Sequence, residues 1–396
     1  MSNQSYSFTR SEVGSIIILS LITALRLLGI FLMLPIFSAY ATHYPGATLP
    51  LSGVAFGIYA LTQSIFQIPM GWASDRWGRK PLLLLGLLIF TVGSLSCGMA
   101  EDIFQLIIAR AVQGSGAVGS VAMATLADVT RPNVRAKAYT ITGIAIGGAF
   151  IFGLLAGPVL AAQLGFNNLF YLLALLGALA MAFAGMLFPN IKRPRVNGET
   201  IGPRQILKNA ELRHIYLAGF VLSFTVNLFF FTYPLSWTNL GLEKSRLWEV
   251  YLIIFIPSFL VVFPYVRYAE KRGRLWMLMH IGWLSMATGY LCYLIGGMQK
   301  WLLYVGGGLY FLGYSLFQPL LASFLTQRIP SNSRGSATGF YGFTGFLGSS
   351  LGGMLAGILS NIGLSFPVAL GLSLLLLWVF LGLPVSPDAP SKNTPH

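Results

Sequence analysis

The stretch Gly71-Trp72-Ala73-Ser74-Asp75-Arg76-Trp77-Gly78-Arg79-Lys80-Pro81 is a short charged segment set between two long apolar runs, 54–70 and 82–99. An apolar helix leaves a bilayer only where its charged residues meet water, so the pattern predicts a hinge at a membrane face with a helix on either side. Gly71 and Gly78 permit a sharp turn or a close backbone approach. Asp75 among Arg76, Arg79 and Lys80 supplies the components of an ion-pair cluster.

Composition agrees with a membrane reading. The chain has 396 residues, 55% hydrophobic and 9% charged, with a mean hydropathy of +0.73. Soluble domains carry roughly 25% charged residues, so this chain cannot bury its apolar surface in an ordinary water-soluble core. Its apolar runs are continuous rather than alternating, which implies helices and not a barrel. The net charge of +14 is scattered over short connections; that distribution fits membrane topology and no nucleic-acid partner is expected. Cys97 and Cys292 lie in apolar runs far apart, which argues against a disulfide framework. The first run carries Arg26 midway and lacks a small-residue cleavage site, so it reads as a retained helix.

Twelve apolar segments follow one another, roughly 13–40, 52–71, 82–99, 103–127, 137–162, 167–189, 213–237, 247–268, 275–296, 301–327, 335–360 and 364–384. An even number places both termini on one side. Odd-to-even connections hold only Lys244, Arg246 and Lys300; apart from Arg26 and Arg110 inside segments, the other Lys and Arg collect on the opposite face. The positive-inside rule makes that face, and both termini, cytoplasmic. The longest connection, 190–212, is basic and contains Pro194, Gly198 and Pro203; it divides a six-helix bundle at 1–189 from a second at 213–385. A turn near Ile206 and Leu207 is expected to touch anionic membrane lipid. The Pro-rich tail 386–396 is expected to be disordered. The second half repeats the first faintly: Glu270-Lys271-Arg272-Gly273-Arg274 follows the eighth segment as Asp75-Arg76-Trp77-Gly78-Arg79 follows the second. Val266 stands where Gly71 would be, and Leu275 replaces Lys80.

Other runs carry the remaining signals. Arg110-x-x-Gln113-Gly114-x-Gly116 places a cation about seven residues into the fourth segment, where it costs several kcal/mol unless it faces water, a partner or the protein interior. Gly114-x-Gly116-x-x-Gly119 also spells a dinucleotide fingerprint, but no strand precedes it. In the fifth segment, Gly153 and Gly157 offer a smooth packing face, and Pro158 removes a donor and predicts a kink. Gly348-x-Ser350-x-Gly352 fits a nucleophile-elbow pattern without a strand, an acid or a His nearby, and reads as close packing. No enzyme, no metal site and no cofactor is expected.

The pattern G-x-x-x-D-R-x-G-R-K at residues 71–80 resembles the second-to-third-helix loop motif of the major facilitator superfamily. Arg110–Gly116 resembles that family's fourth-helix motif, and Gly153–Pro158 its antiporter motif, with Val159-Leu160-Ala161-Ala162 where further glycines are usual. With Gly57-Ile58-Tyr59-Ala60-Leu61-Thr62-Gln63 and Gln67-Ile68-Pro69, the chain resembles the bacterial YajR group of the drug:proton antiporter-like branch. The resemblance implies an all-α membrane fold of two pseudo-symmetric six-helix bundles working by alternating access. It implies a conformational latch of Gly71, Asp75, Arg76, Gly78, Arg79 and Asp128, in which Arg79 pairs with Asp128 and Asp75 faces the start of the eleventh helix. It also implies substrate or proton handling by Arg110.

Arg26 lies close to the middle of the first segment, and all eleven acids fall in loops, tails or helix ends. The membrane interior therefore carries net positive charge, which argues against a simple cationic-drug site. Arg26 either serves an anionic or neutral amphiphile or anchors the fold by bonding to the second or fifth helix. Tyr59, Gln63 and Gln67 share one helical face at i, i+4 and i+8. With Arg26, Arg110, Gln113, Asn227, Tyr314 and Gln318 they are the candidate lining of a substrate and proton cavity. The functional expectation is a monomeric secondary transporter of the bacterial inner membrane, driven by the proton gradient and exporting a small amphiphilic molecule. Alternatives are a lipid or organic-anion transporter using Arg26 and Arg110, or a non-transporting membrane receptor or scaffold.

Overall fold

A computed structural model describes residues 8–131, 133–188, 210–272, 275–296, 299–328 and 334–381. Among them the regular structure is helical: α1 (Arg10–Met33), α2 (Phe37–Ala41), α3 (Leu49–Trp77), α4 (Arg79–Gly98), α5 (Ile103–Ser115), α6 (Gly119–Val129), α7 (Arg135–Leu164), α8 (Phe166–Leu187), α9 (Ala210–Asn239), α10 (Leu247–Lys271), α11 (Leu275–Gly296), α12 (Lys300–Arg328), α13 (Arg334–Ser360) and α14 (Ser365–Leu381). A single 3₁₀ turn, Lys244–Arg246, precedes α10. Ten of the described spans are long and apolar enough to cross a membrane, with α5 and α6 counted as one; part of α14 adds a shorter apolar helix. The basic connection at 189–209 and the tail lie outside the described residues.

Three sequence readings need correction. The first segment is not one helix: it breaks at residues 34–36, where Pro35 has no N–H to donate and Ile36 turns back to the Met33 carbonyl. The fourth segment breaks at 116–118, ending α5 at Ser115 and restarting as α6 at Gly119. The hinge at 71–81 shrinks to one residue. Helix α3 runs on through Gly71, Asp75 and Arg76 to Trp77, and Gly78 alone leaves helical geometry, at φ 97°. That conformation is accessible to glycine and costly for other residues. Pro158 sits inside α7, which runs through it as one helix.

Glycines bring backbones together where membrane helices lack a hydrophobic drive to associate. A Cβ on Gly53 of α3 would lie 2.6 Å from the Gly357 Cα of α13, and one on Gly57 would lie 2.5 Å from the Ser350 carbonyl. Gly153 and Gly157 of α7 press in the same way on Phe31 and Leu32 of α1. Gly348 and Gly352 abut the Phe220 and Phe224 carbonyls of α9, so the elbow-like pattern is packing. Large exposed side chains such as Ile108 and Ile144, 66% and 71% exposed, belong on a lipid- or cavity-facing surface.

Candidate transport site

Arg26 of α1 and Arg110 of α5 converge on Tyr59 of α3. Arg26 donates through Nη2 to the Tyr59 hydroxyl at 3.2 Å, while the Arg110 guanidinium lies 4.6 Å from the Tyr59 ring centroid and 5.1 Å from that of Phe37. Arg110 also donates to Gln113 Oε1 at 2.6 Å and reaches the Ala55 carbonyl at 3.4 Å. Gln113 in turn donates to Ser94 Oγ of α4 at 2.8 Å. Arg26 stands over the Phe90 ring at 5.7 Å. Both cations are buried, at 2% and 4% exposure. Among the described residues, no ion pair includes either one. Arg26 is bonded to the second helix through Tyr59.

The cluster has spare bonding capacity. Arg26 Nε, both amide atoms of Gln63 and Oε1 of Gln67 are buried without a hydrogen-bond partner. Gln67 lies between the halves of the chain: a Cβ on Gly342 of α13 would sit 2.5 Å from its Nε2. The remaining cavity candidates are not drawn in. Asn227 donates to the Ser223 carbonyl on its own helix at 2.9 Å. Tyr314 packs against Tyr310 and Phe311, and Gln318 is exposed.

At one end of the helices lies the charged cluster foreseen in the sequence. Arg79 donates through Nε to Asp128 Oδ2 at 2.8 Å, pairs through Nη1 with Asp75 at 2.8 Å, and donates to Ser74 Oγ at 2.6 Å. It therefore joins α3, α4 and α6. Arg76 departs from the expected set: its guanidinium stacks 4.2 Å from the centroid of the exposed Trp72 ring instead. Gly71 is helical and makes no turn, and a Cβ there would meet Ser120 Oγ at an ordinary 3.5 Å. Side chains at the start of α13, opposite Asp75 in the resemblance, lie outside the described residues. Among the described residues, the ion pairs of the cluster join Asp75, Arg79 and Asp128 of the first half of the chain.

The two halves meet differently at their two ends. Away from the Arg79 cluster, Tyr251 of α10 donates to the Pro35 carbonyl at 3.0 Å. Lys244 approaches His43 at 3.3 Å and the Tyr40 ring at 4.6 Å. Phe150 packs against Phe255 and Phe56 against Phe231, both at 5.8 Å. Toward the cluster, α7 turns the same face as Phe150 into open space: a Cβ on Gly147 or Gly143 would meet nothing within 4 Å. There, among the described residues, α13 stays against α3 and also approaches α6, with Ser64 Oγ donating to the Phe343 carbonyl at 3.1 Å.

Two contacts escaped the sequence reading. Glu12 is held by the Arg131 backbone N–H, Nε and Nη2 at 2.9–3.0 Å, and its carboxylate raises the Arg131 guanidinium above its usual range by hydrogen bonding. Thr9-x-x-Glu12 is a capping box that pointed to this helix start. Lys80 donates to the Gly185 and Phe188 carbonyls at 2.7 and 2.6 Å, where a cation complements a helix C-terminus.

A helical protein with ten membrane-length spans and a charged cluster of this sequence matches the profile of the Major Facilitator Superfamily over residues 19–261 and 215–396. The chain belongs to that superfamily of transporters. It is 32% identical over 361 residues to the inner membrane transport protein YajR of Escherichia coli (strain K12), covering 90% of this chain and 80% of that one. It is 35% identical over 162 residues to the class H tetracycline resistance protein of Pasteurella multocida, covering 38% of each. These relatives place it in the drug:proton antiporter-like branch. Its fold is similar to that of the human organic anion transporter MFSD10 in its crystal structure, with a TM-score of 0.70 at 19% identity, covering 94% of this chain and 100% of that one.

Proposed function

We propose that this transporter exports a small amphiphilic molecule, coupled to proton entry, by alternating access between two six-helix bundles at 1–189 and 213–385. The observation that carries the reading is the asymmetry of the seam. The bundles are sealed at one end by Tyr251, Phe150 and Phe56, and stand apart at the other around Gly143 and Gly147. A buried polar cluster lies between those two levels. Tetracycline-resistance relatives support export and proton coupling. The distribution of Lys and Arg puts the Arg79 cluster, and both termini, on the cytoplasmic side of the inner membrane. In that orientation the seal faces the periplasm, which supports reading this pose as inward-open, with a monomer as the working unit.

In this reading the Arg79–Asp75–Asp128 cluster is a part of the switch and not a substrate contact. It fixes three helices of the first bundle as a rigid edge, and the half-exposed Asp75 engages the second bundle more closely when the cytoplasmic side closes. A second reading, an organic-anion or lipid transporter that is not coupled to protons, is favoured by the two buried guanidiniums without an ion-pair partner among the described residues. Proteoliposomes with an imposed pH gradient separate the two. Substrate-triggered proton movement is expected; flux indifferent to pH would favour the second reading, and no flux of any candidate would favour a receptor or scaffold.

A further inference from the structure

Arg26 and Arg110 are two like charges facing one phenol in a membrane interior, and this needs an account. An unpaired buried charge costs several kcal/mol even after relaxation. The bonds present are to a hydroxyl, an amide oxygen, a backbone carbonyl and aromatic faces, all of them neutral. The eleven acids of the chain fall in loops, tails or helix ends, and among the described residues none pairs with Arg26 or Arg110. The cluster also keeps two buried donors unused, Arg26 Nε–H and the amide of Gln63. Gln63 is fully buried, so water does not satisfy it at the protein surface. Unused donors beside two fixed cations define a site for a negatively charged group with several acceptor oxygens. Phe37, Phe56 and Phe90 form an apolar wall next to it.

We propose that the Arg26–Tyr59–Arg110 cluster docks the acidic group of the transported amphiphile, and that the substrate class is organic anions bearing a carboxylate or an acid of similar shape. The proposal rests on the transport reading above and narrows its substrate. Arg26 Nε and Gln63 hold the acid group from one side, Arg110 compensates its charge, and the aromatic wall takes the apolar body. Gln63 and Gln67 continue the polar face of α3 from Tyr59 toward the Arg79 end of the helix, both buried. The site also connects to the seal: Arg110 stacks on Phe37, Phe37 on Phe56, and Phe56 on Phe231 of the other half. A ligand that pulls on Arg110 therefore pulls on the contact that closes the far end.

The test is equilibrium binding to the full chain in lipid nanodiscs, without any gradient, using 1-naphthoate, 1-naphthylmethylammonium, 1-naphthylmethanol and bromide. Naphthoate is expected to bind at least tenfold more tightly than the matched cation and alcohol. Arg26→Gln and Arg110→Gln should each weaken it at least tenfold, and Arg26→Lys, which keeps the charge and loses Nε, should weaken it less. Gln63→Met keeps the volume and removes an amide that makes no bond. It should weaken naphthoate severalfold while leaving the melting temperature of the empty protein unchanged or raised, so the proposal is tested even if the Arg variants fail to fold. Equal binding of the cation or alcohol, or unchanged binding in Gln63→Met, would overturn the proposal. Displacement of naphthoate by equimolar bromide would also overturn it, by making the site a resting place for an inorganic counter-ion. Because no gradient is used, selective naphthoate binding without flux would refute transport and leave the site standing.

Discussion

The two halves of the chain solve the same packing problem with different chemistry. In the second half the interior is a stack of aromatic rings, several of whose hydroxyls are bonded: Tyr290 donates to the Thr225 carbonyl, Tyr310 to Thr225 Oγ1, Tyr233 to the Leu303 carbonyl, and Tyr293 shares a bond with Ser236, while the Tyr216 hydroxyl and the Trp237 and Trp378 indole nitrogens are buried without a partner. Phe229 stacks between Tyr233 and Tyr310 at 4.3 and 4.7 Å. In the first half the corresponding depth holds Arg26, Tyr59, Gln63, Arg110 and Gln113, charged and incompletely bonded. A satisfied polar network stiffens a core, and a partly satisfied one is tolerated where something else completes it. The loop motif follows the same division, intact at Asp75–Arg79 and degraded at its repeat. In the proposed reading the first half carries the substrate site and the switch, and the second is the wall they work against.

This contrast can be broken most sharply at Arg110. Arg110→Ala removes charge-assisted bonds worth ~1.5–3 kcal/mol each and leaves Gln113 and Tyr59 exposed to each other without the cation between them. Transport in proteoliposomes should fall by roughly a hundredfold, the equivalent of about 2.7 kcal/mol. Activity near that of the parent would mean the first half is no more than scaffold.

A smaller effect is expected at the edge of that half. Asp75→Asn keeps the shape of the Arg79 cluster and removes one half-exposed charge, whose pairing is worth ~0.2–1 kcal/mol. Turnover should drop roughly fivefold, about 1 kcal/mol on the conformational equilibrium, with the ligand dissociation constant nearly constant. Unaltered turnover with weakened binding would move Asp75 from the switch to the substrate site.

The smallest effect belongs to the second half. Tyr290→Phe deletes one hydroxyl bond and should cost about 1 kcal/mol of stability, read as a slightly lower melting temperature, with transport unchanged. A large loss of transport there would erase the distinction between the halves.

Much of this was legible in the chain. The apolar runs located the helices because a bilayer demands uninterrupted apolar length, and the resemblance of residues 71–80 to the family's loop motif anticipated the Arg79–Asp128 ion pair that forms. The i, i+4, i+8 spacing placed Tyr59, Gln63 and Gln67 on one face, as found. Three things were not legible. Pro35 and Gly116 break helices without leaving the membrane, and hydropathy registers the apolar run and not the hydrogen bonds inside it. Trp72 draws Arg76 away from the cluster through a stacking contact that charge spacing does not encode. Which of Asn227, Tyr314 and Gln318 would meet the guanidiniums depended on how the second half packs, and none of them does.

The central claim is that the halves rock about the buried pair, one end opening as the other closes. It is tested directly by electron–electron distance measurements between nitroxide labels, with Cys97 and Cys292 replaced by Ala. One pair would sit at the sealed end, Thr42→Cys with Glu243→Cys, and one at the open end, Ile144→Cys with Tyr265→Cys. On adding 1-naphthoate with a low external pH, the first distance is predicted to lengthen as the second shortens in the same population of molecules. Both distances staying fixed, or both lengthening together, would contradict it.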